Sequence, residues 1–363
     1  MICNAVRHKK QIRVEKNDEP VQIDLKKYCF KERENQEKES SMENLSAKEL
    51  FEIVKYSDAD KNEWNNLIDI SKNGTFLLNR NYMDYHSDRF TDFSLLIYHK
   101  KKLVAVFPAN VKDNAVYSHQ GLTYGGLIYI NKLSVIDILD VFECIILYYK
   151  NHDINTIIYK AIPYIYTAYP AQEDIYALFR NDAKWIGCNI SSTILLEKKL
   201  KFVESRKAGI RKAINNDLKY FCSDNFEAFW KILHDNLDAK YGVKPVHTLN
   251  EILYLKGLFS ENIKLYLIQK QNDILAGTVL YLNKQIVHVQ YISANQEGKK
   301  LGALDLLFDY LINNEYKDYD YFDFGQSTEQ MGYYLNNNLL FQKDGFGGRG
   351  VAYNIYELDL RRK

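Results

Sequence analysis

The sequence has few cysteines, and no two of them stand at the spacing of a metal site. Its 363 residues include five cysteines, at positions 3, 29, 144, 188 and 222. Zinc sites place Cys and His at short, regular spacings, and disulfide frameworks belong to small secreted chains. Scattered thiols in odd number indicate incidental cysteines in a reducing compartment. We therefore expect neither a disulfide framework nor a bound metal.

An excess of one charge sign and long apolar runs are absent too. The formal net charge of +1 gives no reason to expect DNA or an acidic membrane surface as the main partner. The most apolar window, residues 135–149, is interrupted by Asp137, Asp140 and Glu143 and is too short to span a bilayer. Residues 1–10 lack the apolar core of a signal peptide. We predict a cytoplasmic protein without stable membrane insertion.

The length of the chain suggests two globular units behind a polar leader. Hydrophobic residues make up 46% and charged residues 26%, as in an ordinary soluble protein. Residues 1–45 are predicted to be a poorly ordered leader and linker, because residues 31–46 offer almost nothing to a core. The two units are predicted at residues 46–197 and 198–363.

The two units repeat one order of elements: two antiparallel strands, a turn, an amphipathic helix and a further strand. Residues 94–111 correspond to 264–282, and residues 134–150 correspond to 303–313. A helix that links two strands of one sheet is a crossover, so those strands should be parallel. The pattern predicts an α/β (α+β) duplication with mixed, mostly antiparallel sheets. It also predicts a closing strand at 194–196 and final strands near 340 and at 353–360.

Residues 286–325 contain the clearest candidate site. A strand over 286–293 is followed by a turn with Gly298, Lys299 and Gly302, then by a helix and a second strand. A glycine turn at a helix N-terminus offers free N–H groups to a phosphate, although a plain solvated loop has the same pattern. Parallel strands that diverge would leave a gap for a ligand beside this turn.

Polar side chains on these strands are candidates for catalysis. Strand alternation places His288 and Gln290 on one face and Tyr291 on the other. Asp323 lies in the second strand and Glu329 follows it, where side chains of open sheets reach ligands. The structural alternatives are a hydrogen-bonded core histidine and a helix cap at residues 326–329. The predicted catalytic residues are His288, Gln290, Asp323 and Glu329.

The order of several motifs resembles the FemAB-like branch of the GNAT acyltransferase superfamily. That branch contains peptidoglycan-bridge aminoacyltransferases and their acetyltransferase relatives. In the first unit the resembling segments are Gly74-Thr-Phe-Leu77, Tyr82-Met-Asp-Tyr85 and Ser118-His-Gln-Gly-Leu-Thr-Tyr-Gly-Gly126. In the second they are Ser205-Arg206, Arg211-Lys-Ala213, Pro245-Val-His247, Leu275-Ala-Gly-Thr278, His288-Val-Gln-Tyr-Ile-Ser-Ala-Asn295, Phe324-Gly325 and Phe341-Gln-Lys-Asp-Gly-Phe-Gly-Gly-Arg349.

The resemblance implies tandem GNAT-like domains, with the acceptor on the first and the acyl donor on the second. No cofactor is expected to be bound permanently, and acetyl-CoA or another acyl-CoA is the expected co-substrate. Leu304 stands where the family has a small residue, and Lys299 replaces its Gln or Arg, which leaves the identity of the donor open. The equivalent turn of the first unit lacks glycine, so only the second unit should hold a donor. The implied donor-binding residues are Ser293, Asn295, Gly298, Lys299, Lys300, Gly302 and Ala303.

Other polar residues are predicted to bind the acceptor. His119 and Tyr124 lie in the Gly-rich segment of the first unit, where a plain hairpin turn is the alternative. Arg206 and Arg211 belong to a basic helix that is suited to an acceptor phosphate, unless it is only a solvated face. The remaining predicted substrate-binding residues are Tyr291, Gln326, Lys343 and Arg349.

The predicted function is transfer of an acyl group, most simply acetyl from a CoA thioester, to an amine. The acceptor would be a small molecule such as an amino sugar or a cell-envelope precursor. One alternative is an aminoacyl-tRNA-dependent aminoacyltransferase acting on a peptidoglycan precursor, although no segment sustains the heptads of a long helical arm. Another alternative is a non-catalytic tandem GNAT-like binding protein.

Deletion of residues 1–45 is expected to leave the melting temperature and the catalytic rate nearly unchanged. The polar segment offers little apolar surface that could pack on the globular units. Thermal unfolding of the full-length and shortened chains measures the effect. A decrease of several degrees would mean that the leader packs on the remainder of the chain.

Overall fold

The computed structural model describes residues 51–362 of the chain. Residues 51–362 belong to one compact unit. We call residues 51–197 the first half and residues 198–362 the second half. Their boundary stays a prediction, and the predicted leader at 1–45 lies outside the described residues. No helix between residues 51 and 362 is both long enough and apolar enough to cross a membrane.

The first half contains short strands around a long amphipathic helix. Its strands are β1 (Phe51–Lys55), β2 (Thr91–Asp92), β3 (Leu95–His99), β4 (Lys102–Phe107), β5 (Asn110–Lys112), β6 (Ala115–Tyr117), β7 (Ile128–Tyr129), β8 (Thr156–Lys160) and β9 (Lys184–Leu195). Its α-helices are α1 (Lys61–Ile70), α2 (Arg80–Met83), α3 (Val135–Lys150) and α4 (Glu173–Arg180). A short 3₁₀ helix at Tyr164–Tyr166 precedes α4. Helix α3 begins at a capping box between Ser134 and Asp137, which satisfies its first free N–H groups.

The second half has longer strands. They are β10 (Lys219–Ser223), β11 (Ile263–Lys270), β12 (Asp273–Leu282), β13 (Ile286–Ala294), β14 (Tyr321–Gln326), β15 (Thr328–Glu329), β16 (Tyr334–Leu335) and β17 (Arg349–Asp359). The α-helices are α5 (Glu204–Asn215), α6 (Phe226–Tyr241), α7 (Leu249–Leu258), α8 (Gln296–Leu301), α9 (Ala303–Tyr310) and α10 (Asn337–Asp344). The predicted strand near residue 340 is wrong, because Asn336 caps α10 through Leu339 N there.

One sheet of eleven strands runs through both halves. Its order is β10-β11-β12-β13-β14-β9-β17-β8-β6-β5-β2, while β1, β3, β4 and β7 form a separate sheet. Strand β9 of the first half pairs with β14, and β17 of the second half pairs with β8. Each half therefore contributes a strand to the other. The sequence predicted only the last residues of β9, at 194–196, and missed the twelve-residue strand that joins the halves.

The crossover predicted in the second half is confirmed, and the one in the first half is wrong. Strands β13 and β14 pair in parallel, as expected for strands joined by the α8–α9 connection. In the first half, α3 joins β7 to β8, but these strands lie in different sheets. Leu127 N donates to the Tyr159 hydroxyl at 2.9 Å, so a side chain occupies the position where strand pairing was expected.

Three apolar clusters lie between the layers. One packs α3 against first-half strands, and a second packs α9 against β12, β13 and β14. The third joins the halves, since it contains Trp64 and Tyr82 from the first half together with Phe229 and Tyr281 from the second. The face of the central sheet that carries this joint cluster also carries the candidate site.

Helix α5 lies closely against the start of α9. The Arg206 guanidinium pairs with Asp305 at 2.6 Å, with Arg206 also placed over the Phe346 ring. Gly302 has a left-handed φ of 76°, and a Cβ atom there would lie 2.4 Å from the Gly209 carbonyl oxygen. Both the backbone angle and the close approach of two main chains therefore require glycine at position 302.

Gly302→Ala is expected to lower the free energy of unfolding by about 2 kcal/mol or more, because the methyl group meets Gly209 in a strained backbone conformation. Denaturant titration measures the change. Gly257→Ala is the matched control: nothing lies within 4 Å of a Cβ atom there. That substitution inside α7 should be neutral or stabilise by up to about 1 kcal/mol. Equal effects of the two substitutions would contradict the proposed packing.

Candidate active site

Strands β13 and β14 separate in the middle of the sheet. They pair only from Ile286–Tyr321 to His288–Asp323, although β13 continues to Ala294. Beyond His288 the two strands leave a gap, as the sequence predicted. Gly325 lies on the β14 side of the gap with a left-handed φ of 75°, and a Cβ atom there would approach His288 Cε1 to 3.3 Å. The gap opens directly beside the His288 ring.

A bulge in β13 changes the faces that alternation predicts. Leu280 pairs with Val289 and Val279 pairs with Tyr291, so Gln290 is the extra residue. The ring of Tyr291 consequently belongs to the same core cluster as Ile286, on the face of His288. The prediction that His288 and Gln290 share a face opposite Tyr291 is therefore wrong. A bulge adds one residue to the period of two and reverses every later side chain.

Asp323 lies at the centre of a buried hydrogen-bond network. Its Oδ1 atom accepts hydrogen bonds from Ser191 and from Thr193, the latter at 2.7 Å. Its Oδ2 atom accepts from Tyr353 at 3.0 Å and from Tyr166 at 3.1 Å. Burial alone would raise the pKa of this carboxyl, but the hydrogen bonds and the neighbouring His288 lower it to about 2. Asp323 is therefore an anion at neutral pH.

His288 is the remaining partner of this carboxylate. Its Nδ1 atom lies 2.8 Å from Asp323 Oδ2 and 3.0 Å from the Tyr166 hydroxyl. Because a carboxylate only accepts, we place the proton of the neutral ring on Nδ1 and leave the lone pair on Nε2. Within residues 51–362 the Nε2 atom has no hydrogen-bond partner, and 13% of the His288 side chain is exposed. This is the geometry of a general base, His288, whose ring is held in orientation by a carboxylate, Asp323.

The other predicted catalytic residues are placed differently. Gln290 is half-buried in the bulge, and Glu329 is exposed in the two-residue strand β15. Asp323 is wholly buried, so it orients His288 instead of meeting a substrate. Of the four residues predicted to be catalytic, only His288 and Asp323 are joined by a hydrogen bond.

Four members of the network were missed in the sequence. Ser191 and Thr193 come from β9, Tyr353 from β17, and Tyr166 from the 3₁₀ helix of the first half. Polar residues at alternate positions of β9 were a detectable signal for Ser191 and Thr193. No local pattern marks Tyr166, which lies 122 residues from His288 in the chain.

The predicted phosphate turn is a helix. Residues 296–301 form α8, where the Asn295 side chain already accepts from Gly298 N at 2.8 Å. A Cβ atom at Gly298 would lie 2.5 Å from the Leu275 carbonyl oxygen, and Ala303 is buried. An open turn at 298–302 is therefore a wrong prediction. Both glycines have packing roles, and donor binding by these residues stays a prediction.

Several polar side chains around α8 are hydrogen-bonded to one another. Asn236 of α6 donates to Ser293 Oγ at 2.7 Å and accepts from Lys299 Nζ at 2.7 Å. Ser293 is buried, whereas Lys300 is exposed on the outer side of the helix. Among the predicted donor residues, only Lys299 and Lys300 are exposed.

The residues predicted to bind the acceptor do not form one groove. His119 is buried and stacks on His86, and burial lowers its pKa to about 3. Tyr124 is buried and donates to Thr75 at 3.1 Å, with its ring 4.6 Å from that of Tyr166. Of these two residues, only Tyr124 contacts the network around Asp323, through the Tyr166 ring.

Second-half acceptor residues are dispersed as well. Arg206 pairs with Asp305, and Arg211 pairs with Glu204 at 2.7 Å on the exposed side of α5. The Tyr291 hydroxyl lies 2.5 Å from His247 Nδ1. Gln326 ends β14 beside the gap, and Arg349 is exposed at the start of β17.

Lys343 is a buried cation on the β14 side of the gap. Its Nζ atom donates to the carbonyl oxygens of Gly325 at 2.8 Å and Gln326 at 2.7 Å. Burial lowers the pKa of this ammonium group to about 8. Lys343 therefore binds the main chain of β14 where that strand turns away from β13.

The corresponding region of the first half is closed. The Tyr159 hydroxyl accepts from Leu127 N and donates to Asp174 at 2.5 Å, while a Cβ atom at Gly126 would meet the Tyr159 ring. Burial raises the pKa of Asp174 to about 6. The Tyr159 side chain fills the position that corresponds to the gap. Donor binding by the second half alone stays a prediction.

Solved structures with the same architecture identify the fold. FemX aligns over 86% of this chain and 98% of its own, with a TM-score of 0.61 and 10% identity. The C-terminal domain of a lysylphosphatidylglycerol synthetase from Agrobacterium fabrum aligns over 84% and 92%, with a TM-score of 0.57 and 10% identity. This is the FemAB-type tandem GNAT-like fold. The predicted fold class is therefore confirmed.

Sequence comparison adds nothing to this likeness. No protein-family model and no curated protein matches the chain. A protein of unknown function from Bacteroides thetaiotaomicron also has the fold, with a TM-score of 0.51 and 12% identity over 85% of this chain and 100% of its own. Within residues 51–362, no group of three or more His, Cys, Asp or Glu side chains is arranged to hold a metal ion.

Asp323→Asn is expected to lower the free energy of unfolding at pH 7 by about 3 kcal/mol, because it leaves buried donors without their anion. The folded pKa of about 2 lies below the usual 3.8, so the contribution of Asp323 is present above pH 3.8 and is lost as the pH falls through 2. The difference from the wild type should therefore shrink over that range.

Denaturant unfolding between pH 7 and pH 2 measures this difference. Asp217→Asn is the matched control, since Asp217 is exposed and its φ of 56° suits asparagine. If the free energies of unfolding of Asp323→Asn and the wild type differ by the same amount from pH 7 down to pH 2, Asp323 is not an ionised, hydrogen-bonded carboxylate.

Proposed function

We propose that the protein is an N-acyltransferase whose base is His288, oriented by Asp323. The observation that carries this proposal is the position of His288 Nε2, unpartnered within the described chain and beside the gap between β13 and β14. An acyl carbonyl entering the gap would lie close to this lone pair. Acyl transfer to an amine needs the amine neutral and both reactants aligned.

The gap also supplies groups that can stabilise the developing oxyanion. Beyond His288, the edge of β13 that faces the gap pairs with no strand of residues 51–362, so its main-chain N–H groups are available to a carbonyl oxygen. The ammonium group of Lys343 adds a positive charge behind Gly325 on the opposite strand. In the proposed reaction, His288 Nε2 takes the amine proton as the new C–N bond forms at the acyl carbon. The C–O or C–S bond between the acyl group and its carrier then breaks, and the carrier leaves with the proton that His288 returns.

The surroundings of α8 favour an aminoacyl ester over acyl-CoA as the donor. A pyrophosphate at residues 298–302 would need the space that α5 occupies at Gly209. An aminoacyl-tRNA carries its acyl group on a ribose hydroxyl and has no pyrophosphate that would have to fit there. One structural neighbour is described as a lysylphosphatidylglycerol synthetase, whose named product carries an aminoacyl group. Acetyl-CoA stays the competing donor, and the acceptor remains a small amine or cell-envelope precursor.

Thermal unfolding with each donor tests this choice. A ligand that binds only the folded state stabilises it by RT ln(1 + [L]/Kd), so the melting temperature rises with the logarithm of the ligand concentration once this exceeds Kd. We expect a mixture of charged tRNAs to raise it and acetyl-CoA to leave it unchanged. Stabilisation by acetyl-CoA alone would reverse the assignment of the donor. A response to neither donor would favour the non-catalytic alternative.

His288→Gln is expected to reduce transfer to an amine by about 10²-fold or more while leaving donor affinity unchanged. The loss should shrink at high pH, where the acceptor amine is already neutral. Donor consumption with a panel of amino sugars and amino-acid amides measures turnover. His234→Gln is the matched control, because His234 is exposed on α6. Near-full turnover of a folded His288→Gln protein across pH would exclude His288 as the base.

A further inference from the structure

Although the whole chain is nearly neutral, its cations are concentrated in one segment. Residues 198–214 contain seven Lys and Arg residues and a single acidic residue, Glu204, which gives them a net charge of +6. The rest of the chain therefore carries −5, since the whole carries +1. These residues span the connection after β9 and almost the whole of α5. We call residues 198–214 the basic segment.

Several cations of the basic segment are available to an anionic surface. Lys198 and Lys201 are exposed, and neither forms an ion pair or a side-chain hydrogen bond with any of the described residues. Lys207 and Arg211 share one acidic partner, Glu204, at 3.7 and 2.7 Å, and these three side chains are 44% to 71% exposed. The potential at this surface is therefore positive.

Apolar side chains are exposed among these cations. Leu200, Val203 and Ile214 are 46%, 43% and 57% exposed, and Phe341 of α10 is 73% exposed. Phe341 lies next to the basic segment, because its carbonyl oxygen accepts from Gly345 N and the Gly345 carbonyl oxygen accepts from Val203 N at 3.0 Å. Exposed apolar residues are ordinary when they are scattered singly, whereas a group of them marks an interaction surface.

Helix α5 presents apolar and basic residues on one face. Val203, Lys207, Arg211 and Ile214 follow one another at spacings of four, four and three residues, so they lie along one side of the helix. Ala213, by contrast, is buried where α5 packs on the cluster around α9. A helix that combines cations with exposed apolar side chains in this way is suited to lie in the plane of a membrane interface.

We propose that the basic segment and Phe341 form a docking surface for a bilayer with anionic headgroups. The charges of the two surfaces are complementary, and lysine stems lie along the acyl–headgroup boundary while their ammonium groups stay in water. The exposed apolar side chains enter this boundary. Such reversible attachment needs neither a membrane-spanning helix nor a large net charge of the whole protein. It does not depend on the proposed function.

The apolar residues favour a bilayer over a nucleic acid. Both partners offer anionic phosphates, but a nucleic acid strand adds stacking of its bases on aromatic rings. Three of the four exposed apolar residues are aliphatic, and Val203 and Ile214 alternate with cations on one helix face. Aliphatic side chains among phosphates gain nothing, whereas a bilayer accepts cations and aliphatic side chains on one surface.

Helix α10 connects this surface to the gap between β13 and β14. Phe341 is exposed on the outer side of α10, and Lys343, two residues later, is buried and binds the carbonyl oxygens of Gly325 and Gln326. A protein docked through Phe341 would therefore hold the β14 side of the gap close to the headgroups.

Co-sedimentation of the full-length protein with vesicles tests the docking surface. We expect binding to phosphatidylcholine vesicles that contain about one third phosphatidylglycerol, and binding about 10²-fold weaker to pure phosphatidylcholine. Raising the salt concentration from about 0.1 M to about 0.5 M should weaken the binding to anionic vesicles, because salt screens the cations. No binding of the wild type to anionic vesicles would overturn the proposal.

A charge variant and its matched control separate the basic segment from the net charge of the protein. The variant should bind anionic vesicles about 10²-fold more weakly than the wild type. Its substitutions are Lys198→Gln, Lys201→Gln, Lys207→Gln and Arg211→Gln. The control removes the same charge from exposed lysines of the first half and should bind within about twofold of the wild type. Its substitutions are Lys102→Gln, Lys112→Gln, Lys132→Gln and Lys184→Gln. Equal binding by the two variants would overturn the proposal.

An apolar variant distinguishes a bilayer from RNA. Ile214→Ser/Phe341→Ser should weaken binding to anionic vesicles by about tenfold or more, since two side chains no longer enter the boundary. Ile70→Ser/Ile136→Ser is the matched control, because these residues are 69% and 71% exposed in the first half. Melting temperatures show whether each variant keeps the fold. Binding of a tRNA mixture that the charge variant loses and the apolar variant keeps, without vesicle binding, would assign the surface to RNA and overturn the proposal.

The variant of the proposed base separates this inference from the proposed function. His288→Gln should bind anionic vesicles as the wild type does, because His288 lies outside the docking surface. A failure of His288 as the base would therefore leave the docking surface intact. Loss of vesicle binding in a folded His288→Gln protein would overturn the assignment of binding to the basic segment.

Discussion

The buried carboxylate of Asp323 holds the two halves of the molecule to one geometry. An ionised carboxyl group in an apolar interior is costly unless donors surround it. Here the donors come from β9, β13, β17 and the 3₁₀ helix of the first half, so no half of the chain can satisfy Asp323 alone. The exchange of β9 and β17 between the halves brings these donors to one point of the sheet. The same network orients His288, which makes the candidate active site a property of the assembled halves.

The two halves use the same arrangement of elements for different purposes. In the second half, β13 and β14 separate after one short parallel ladder, and Lys343 binds the main chain of β14 on the far side of the gap. In the first half, Tyr159 fills the equivalent position and bonds Asp174. A duplicated fold thus retains one open gap and one closed gap. The closed gap contributes to the core, which leaves Tyr166 as the first half's direct contribution to His288.

Glycines near the gap show why a motif alone does not define a binding site. The turn predicted at residues 298–302 satisfies the pattern of a phosphate site. Its glycines have another reason, because a Cβ atom at Gly298 would meet the Leu275 carbonyl oxygen and one at Gly302 would meet that of Gly209. A helix that caps itself through Asn295 has one fewer free N–H group for a ligand. The position of α5 beside Gly302 is the observation behind the proposal that the donor is not an acyl-CoA.

The sequence by itself determined the elements whose signals are local. Helix α3, the β11–β12 hairpin and the α8–α9 crossover follow from apolar periods of 3.6 and 2. The repeated order of these elements predicted the tandem architecture, and the polar residues of the two strands made His288 and Asp323 candidates. Only the tertiary structure decided that Asp323 orients His288, that Tyr166, Ser191, Thr193 and Tyr353 surround it, and that the bulge at Gln290 turns Tyr291 to the same face. The physical reason is that periodicity arises from neighbours along one chain segment. Side-chain hydrogen bonds over more than a hundred residues depend on which strands pair, and no local pattern of residues encodes that pairing.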